Sequence, residues 1–261
     1  MQELRLGGLV PLTTIDFPGR LAAVVFCQGC PWRCGYCHNP HLLPASSGPG
    51  IGWERVRDFL ERRRGLLDAV VFSGGEPTAQ PALEATLAQV KALGFEVGLH
   101  TAGIYPQRLA RLLDRSSPEG PLVDWIGLDA KGPLDRYEAI TGVRGAGARF
   151  RRSLDLVLES GIAYEVRTTL YDEAMPEELL GFARWLADRG VRHYVWQARR
   201  GVGLLNERQA GPGGGDAWRQ AGEQAASLFE RFEVRGASPE GGPAKAAAGK
   251  GDPIRLDPSS T

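Results

Sequence analysis

Six short apolar runs, interleaved with helical patterns, constrain the fold of this 261-residue chain more than any other feature. They are LAAVVF (21–26), DAVVFS (68–73), EVGLHT (96–101), WIGLDA (125–130), YEVRTT (164–169) and HYVWQA (193–198). Each has strand length, and several are almost continuously apolar, as parallel strands buried on both faces are. Helical patterns lie between them. Residues 53–64 are charged and amphipathic, and Leu83, Leu87, Val90 and Leu93 share one stripe of 81–93. Leu109, Leu112 and Leu113 mark 106–114, and Leu154, Val157 and Leu158 mark 150–160, with Gly161 placed to cap it. Pro176 opens and Gly190 closes a helix over 176–189, and a last helix is expected over 216–232. Strands alternating with helices predict right-handed crossovers and an α/β fold with a parallel sheet. Six repeats are too few for a closed barrel and suit a partial (β/α)6 barrel.

Composition narrows the class. Apolar residues are 43% of the chain, enough for one large core. Lys plus Arg equals Asp plus Glu at 31 each, so nothing calls for nucleic acid or an anionic membrane as partner. No apolar run approaches a membrane span, and MQELRLGGLVPLTTIDFPG lacks the features of a signal peptide. A cytoplasmic protein is expected. One domain is expected over 1–235, with GPGGGD (211–216) as a loop. A disordered tail is expected over 236–261, where Gly, Pro, Ala and Ser dominate.

In such folds function gathers where strands end and loops begin. A loop with Cys27, Cys30, Cys34 and Cys37 follows the first run, and SGGEP (73–77) follows the second. His100 and Thr101 end the third, Asp129 and Lys131 the fourth, Arg167 and Thr168 lie near the end of the fifth, and Gln197 near that of the sixth. All are expected at one mouth. These four are the chain's whole complement of cysteines. So tight a cluster cannot staple distant parts of a fold, and a metal or redox site is the better reading. Zinc commonly takes two separated cysteine pairs, with His38 or His41 as the helpers available here. An iron–sulfur cluster accepts thiolates at short spacing. Three cysteines on a four-iron cubane leave one iron open to a substrate.

Cys30-x3-Cys34-x2-Cys37, with Tyr36 just before the last cysteine, resembles the signature of the radical S-adenosylmethionine enzymes. TTIDFPGRLAAVVFCQGCPWRCGYCHNP, VFSGGEP, VDWIGLDAKGP and YEVRTTL, in this order, resemble the activating proteins of anaerobic ribonucleoside-triphosphate reductase. The pyruvate formate-lyase activating enzymes are wider relatives. The resemblance covers most of 10–200. It implies one 4Fe–4S cluster held by Cys30, Cys34 and Cys37, and S-adenosylmethionine chelated at the open iron. It implies an oxidoreductase in which one electron cleaves the cofactor to a 5′-deoxyadenosyl radical, which takes hydrogen from a glycine of the partner enzyme. A low-potential donor such as flavodoxin or ferredoxin would supply the electron. Tyr36 and His38 match positions beside the adenine. Gly74, Gly75 and Glu76 match the turn that holds the methionine amino group, with Thr101 beside them. Asp129 and Lys131 match an Asp-x-Lys at the methionine carboxylate, Arg167 matches a residue for that carboxylate or the ribose, and Gln197 matches a strand-end contact.

Blander readings stand beside these. Cys27 falls outside the motif and reads as a buried thiol. Trp32 reads as a shield for the cluster. The pyruvate formate-lyase activators carry Asp-Thr-Asn-Gly where this chain has His100-Thr101-Ala102-Gly103, so a monovalent cation site there is in doubt, and His100 is either a core histidine or a cofactor contact. The arginine groups at 62–64, 144–152 and 199–200 read as solvated faces, with Arg199 and Arg200 placed to dock a partner. Two other functions fit the signature less well. One is a radical enzyme with a small substrate, of the 7-carboxy-7-deazaguanine synthase kind, and the other is a non-catalytic metal module. With no cysteine after Cys37, auxiliary clusters built on cysteines are excluded.

Overall fold

The computed structural model describes residues 3–46, 50–118, 120–171, 175–198 and 216–236. Eight strands form one sheet in chain order. They are β1 (Leu6–Thr13), β2 (Ala22–Cys27), β3 (Ala69–Gly74), β4 (Glu96–Thr101), β5 (Trp125–Asp129), β6 (Ala163–Leu170), β7 (His193–Ala198) and β8 (Arg231–Arg235). β2 to β7 are the six expected strands, all parallel in sequence. Two strands were not expected. β1 runs antiparallel to β2 with two register shifts, and β8 adds parallel to β7. Each edge strand has one neighbour, so the sheet is open, as a partial barrel is.

The helices are α1 (Trp53–Glu61), α2 (Leu83–Ala92), α3 (Pro106–Leu112), α4 (Tyr137–Thr141), α5 (Ala146–Ser160), α6 (Pro176–Asp188) and α7 (Asp216–Ala226). Their ends follow local chemistry. α6 starts with Pro176 and carries Glu177 and Glu178 in its first turn, where the helix dipole favours acid. α5 stops at Gly161, whose φ of 68° is the left-handed conformation glycine tolerates. It begins earlier than the leucine stripe suggests, at Ala146. α7 ends at Ala226, short of 232, because Phe232 and Val234 belong to β8.

The sheet separates two cores. Toward the helices, Ala23, Val25, Val70, Phe72, Val97, Leu99, Ile126, Leu128, Val166, Tyr194 and Trp196 join the main hydrophobic cluster. On the inner face a smaller one contains Phe17, Ala22, Val24, Ala69, Val71 and Trp125. Phe17 comes from the loop after β1 and stacks on Trp125 with ring centroids 5.4 Å apart, closing the floor beneath the strands' N-terminal half. The expected loop at 211–215, the tail from 237 on and the pair Arg199–Arg200 lie outside the described residues. No described helix is long and apolar enough to cross a membrane.

Candidate functional site

β2 ends at Cys27, and the chain then turns into the cysteine loop. Backbone bonds pin this loop at several points. Gly29 N–H donates to Leu42 O at 2.7 Å, Cys30 N–H to Leu43 O at 3.1 Å and Arg33 N–H to Thr141 O at 2.9 Å. The Gln28 amide holds the carbonyls of His41 and Pro44. Trp32 is buried and meets the Tyr137 ring edge-on at 6.0 Å. The turn after β3 nests directly against this loop. Gly75 N–H donates to Cys27 O and Glu76 N–H to Gly29 O, both at 2.9 Å. A Cβ on Gly74 would lie 2.5 Å from Cys27 N, and one on Gly75 would lie 2.4 Å from Gly29 O. Both glycines are therefore required for two loop backbones to touch, in addition to any approach to a ligand.

A cavity of about 170 Å³ opens between these loops and the strand ends. Cys30, Cys34 and Cys37 line it together with Tyr36 and His38, and Gly74, Gly75, Thr101, Asp129, Lys131 and Gln197 complete the expected set. The structure thus brings most of the expected residues to one place. Cys27 is separate. It is fully buried at the end of β2, within the main core. Glu76 and Arg167 do not line the cavity, and both are buried behind its wall.

Glu76 braces the wall. Its carboxylate accepts from Thr78 N–H at 3.0 Å, Thr78 O–H at 2.5 Å, Thr101 O–H at 2.7 Å and Ala102 N–H at 2.9 Å. Burial raises its pKa, and the four donors oppose that rise. Arg167 lies under the cavity floor. It donates to Asp129 at 3.1 Å and to Gly127 O at 3.3 Å, and one terminal nitrogen lies 3.4 Å from His100 Nε2. Gly127 makes room for it, since a Cβ there would sit 2.6 Å from the guanidinium. Lys131 Nζ approaches Asp129 at 3.7 Å and lies 5.8 Å from the Tyr36 ring centroid, while the Tyr36 ring stacks on Tyr171 at 5.1 Å. Burial would raise the Asp129 carboxyl, but Arg167 and Lys131, with His100, hold it below its ordinary value. Burial would lower Lys131, and Asp129 foremost raises it, so a cation and an anion face the cavity together.

His100 has both a core and a cavity side. It lines the cavity, and its Nε2 lies 2.8 Å from Asp16 O in the floor loop while its ring meets Trp125 edge-on at 5.5 Å. Burial and the neighbouring Arg167 lower its pKa to about 4, so it is neutral near pH 7. It joins the floor to the cavity. Ser73, from SGGEP, also lines the cavity, whereas sequence reasoning missed Asn39 and Thr169 there, and Glu165, which pairs with Arg235 at 2.7 and 2.9 Å. Only the inward phase of β6 and β8 could have signalled that pair.

The thiols carry their own information. Burial pushes Cys30 up to about 12 and raises Cys34 as well, because a buried site disfavours the charged thiolate. Three thiols that line one cavity are a donor set that fits a multi-iron cluster, in which each thiolate takes a different iron.

Comparison with known proteins gives likenesses of three kinds, to a family, to curated relatives and to solved structures. A model of the radical SAM superfamily matches residues 24–193. A protein of Methanocaldococcus jannaschii, described as a candidate glycyl-radical enzyme activating enzyme, is 32% identical over 181 residues, covering 66% of this chain and 71% of the relative. The pyruvate formate-lyase-activating enzyme of Clostridium pasteurianum is 36% identical over 102 residues, covering 38% and 41% respectively. Among solved structures, Streptococcus suis SuiB bound to its precursor peptide SuiA superposes with a TM-score of 0.61 at 14% identity, over 82% of this chain and 48% of SuiB, which is a likeness of fold.

Proposed function

This chain belongs to the radical SAM superfamily, and from that premise we propose that it activates a glycyl radical enzyme, the anaerobic ribonucleoside-triphosphate reductase. The observation that carries the reading is the convergence of the three signature cysteines with Lys131 and Asp129 on one cavity. Cys30, Cys34 and Cys37 would hold the 4Fe–4S cluster, which together with S-adenosylmethionine supplies a carbon-centred radical on one-electron reduction. Lys131 places a cation for the methionine carboxylate, and Asp129 offers an acceptor for an ammonium or a hydroxyl group. The backbone of Gly74 and Gly75 forms a wall on which the methionine end would rest. Tyr36, His38 and Gln197 bound the remaining side, where the adenine would lie, and Glu76 and Arg167 act through Thr101, Ala102 and Asp129. Trp32 and Tyr36 keep water from the thiols.

The cavity lining is drawn chiefly from the cysteine loop, the glycine turn and the strand-end set. A second reactant must therefore enter through the mouth, and an inserted backbone loop can do so. The order of the segments around the cysteine motif, the glycine turn and the Asp-x-Lys supports the ribonucleotide reductase as that partner. Electron paramagnetic resonance tests the reading. Reduced protein, S-adenosylmethionine and the reductase should give a doublet from the remaining glycine hydrogen. Changing the partner's glycine to alanine should abolish it. Cofactor cleavage without any glycyl signal, accelerated instead by a small molecule, would transfer the assignment to a small-substrate enzyme.

A further inference from the structure

The chain has no net charge, yet residues 142–154 hold four arginines and no acid. Arg144, Arg149, Arg151 and Arg152 are exposed, and none has an ion-pair or hydrogen-bond partner among the described residues. Arg149 and Arg152 stand over a groove of about 700 Å³ between α3 and α5. Its apolar floor includes Ile104, Tyr105 and Leu156. Arg108 belongs to the wall, and its charge is engaged by the carbonyls of Thr78 and Ala79 at 2.7 and 2.6 Å and by the Tyr105 ring. Two arginines over an apolar floor, with no carboxylate to answer them, make a surface that an acidic one would complement.

The position of this groove is as informative as its charge. α3 and α5 pack on the outer side of the sheet, so an occupant would not block the mouth. Both helices begin at the end of the sheet where the cysteine loop sits. Phe150, between the two groove arginines, stacks on Tyr137 at 5.2 Å, and Tyr137 meets Trp32 of the cysteine loop at 6.0 Å. Two ring contacts therefore separate the groove helix from the loop that carries the thiols. The function proposed above needs one electron per turnover, and the four cysteines of this sequence lie in or beside that loop. A carrier seated in this groove would stand beside the cysteine loop and leave the mouth free for the second reactant.

We infer that the α3–α5 groove, with Arg149 and Arg152, is the docking surface for an acidic one-electron carrier protein that reduces the cluster. This rests on the function proposed above, and the test separates the two. The reconstituted full-length protein and its R149E/R152E variant are compared in reductive cleavage of S-adenosylmethionine. Each is driven either by dithionite or by reduced flavodoxin, with reduced ferredoxin in a parallel arm. A second variant, R62E/R64E, makes the same charge change just past α1, at the opposite end of the sheet. The expected result is a drop of about 10- to 100-fold in the carrier-driven rate of R149E/R152E. Its dithionite-driven rate and iron content should be unchanged, and R62E/R64E should behave as wild type. In the wild type, salt should slow the carrier-driven rate alone. Unchanged carrier-driven cleavage in R149E/R152E would overturn the inference. So would an equal loss with dithionite, an equal loss in R62E/R64E, or no reduction by either carrier in the wild type. Absence of dithionite-driven cleavage in the wild type would instead refute the underlying function.

Discussion

In β5, Ile126 and Leu128 face the helices, while Trp125, Gly127 and Asp129 face the interior; β6 alternates likewise, with Val166 outward and Glu165 and Arg167 inward. On the outer side the neighbours are aliphatic and aromatic, and a residue matters through the volume it fills. The inner side changes character across the sheet. Beneath β2 to β5 it is apolar, closed by Phe17, and from β5 to β8 it carries Asp129, Arg167, Glu165, His193, Glu233 and Arg235. Charge tolerates such burial only where partners answer it. The outer side therefore supplies stability with little say in chemistry. The charged part of the inner side spends stability on holding groups in place.

The cysteines set the two sides furthest apart. Cys30→Ala, Cys34→Ala or Cys37→Ala should each abolish cluster assembly, read as iron and sulfide after anaerobic reconstitution. Cys27→Ala, on the core side, should keep its iron and lose about 1 kcal/mol in a urea unfolding curve. Equal iron loss in all four would erase the distinction. Next in size, Glu165→Ala strands Arg235 and Arg167 around a site only 1% exposed, so about 3–5 kcal/mol of stability should go. Leu128→Ala on the other side should cost a similar ~2–5 kcal/mol through its cavity. The two differ in the cofactor: titration with S-adenosylmethionine should weaken in the Glu165 variant and hold in the Leu128 variant. Identical binding in both would mean that the inner charges are only structural.

His100 adds a pH signature to the inner side. Its folded pKa of about 4 lies below the ordinary 6.5, so between these values the unfolded chain takes up a proton that the fold excludes. The stability it contributes is complete above pH 6.5 and is lost as pH falls toward 4, by about 3 kcal/mol in all. Unfolding curves at pH 7.5 and 4.5 should show less of this loss in His100→Gln, which keeps a donor for Asp16 O. An unchanged difference would put the titration elsewhere. Smallest is Lys131→Ala. Losing a charged hydrogen bond of about 1.5–3 kcal/mol should weaken S-adenosylmethionine about 10- to 150-fold at constant iron. Unaltered affinity would make Lys131 a mere partner of Asp129.

Much of this was legible because strand ends are conspicuous. β2 to β7 announced themselves by length and β-branched content, and the cysteine loop, the glycine turn and Asp129–Lys131 followed from where the runs stopped. β1 was hidden by Gly7, Gly8 and Pro11 and by its register shifts, which break the alternation a strand should show. β8 was overlooked, its first two residues being taken into the expected helix, since RFEVR is short and charged and only pairing with β7 makes it a strand. Glu76 and Arg167 looked like ligand contacts because polar residues at a mouth usually are. Depth cannot be read from sequence, and both lie one layer behind the wall. The Glu165–Arg235 pair joins residues 70 positions apart, a separation no local pattern reports.

Gly127 and Arg167 share one small volume, since even a methyl on the first would strike the guanidinium of the second. Their histories are therefore tied. A lineage that exchanges Gly127 for any larger residue must also shorten or redirect Arg167, leaving Lys131 as the cation that faces Asp129. Across descendants of this gene the two positions should vary as a couple, with single exchanges rare and short-lived.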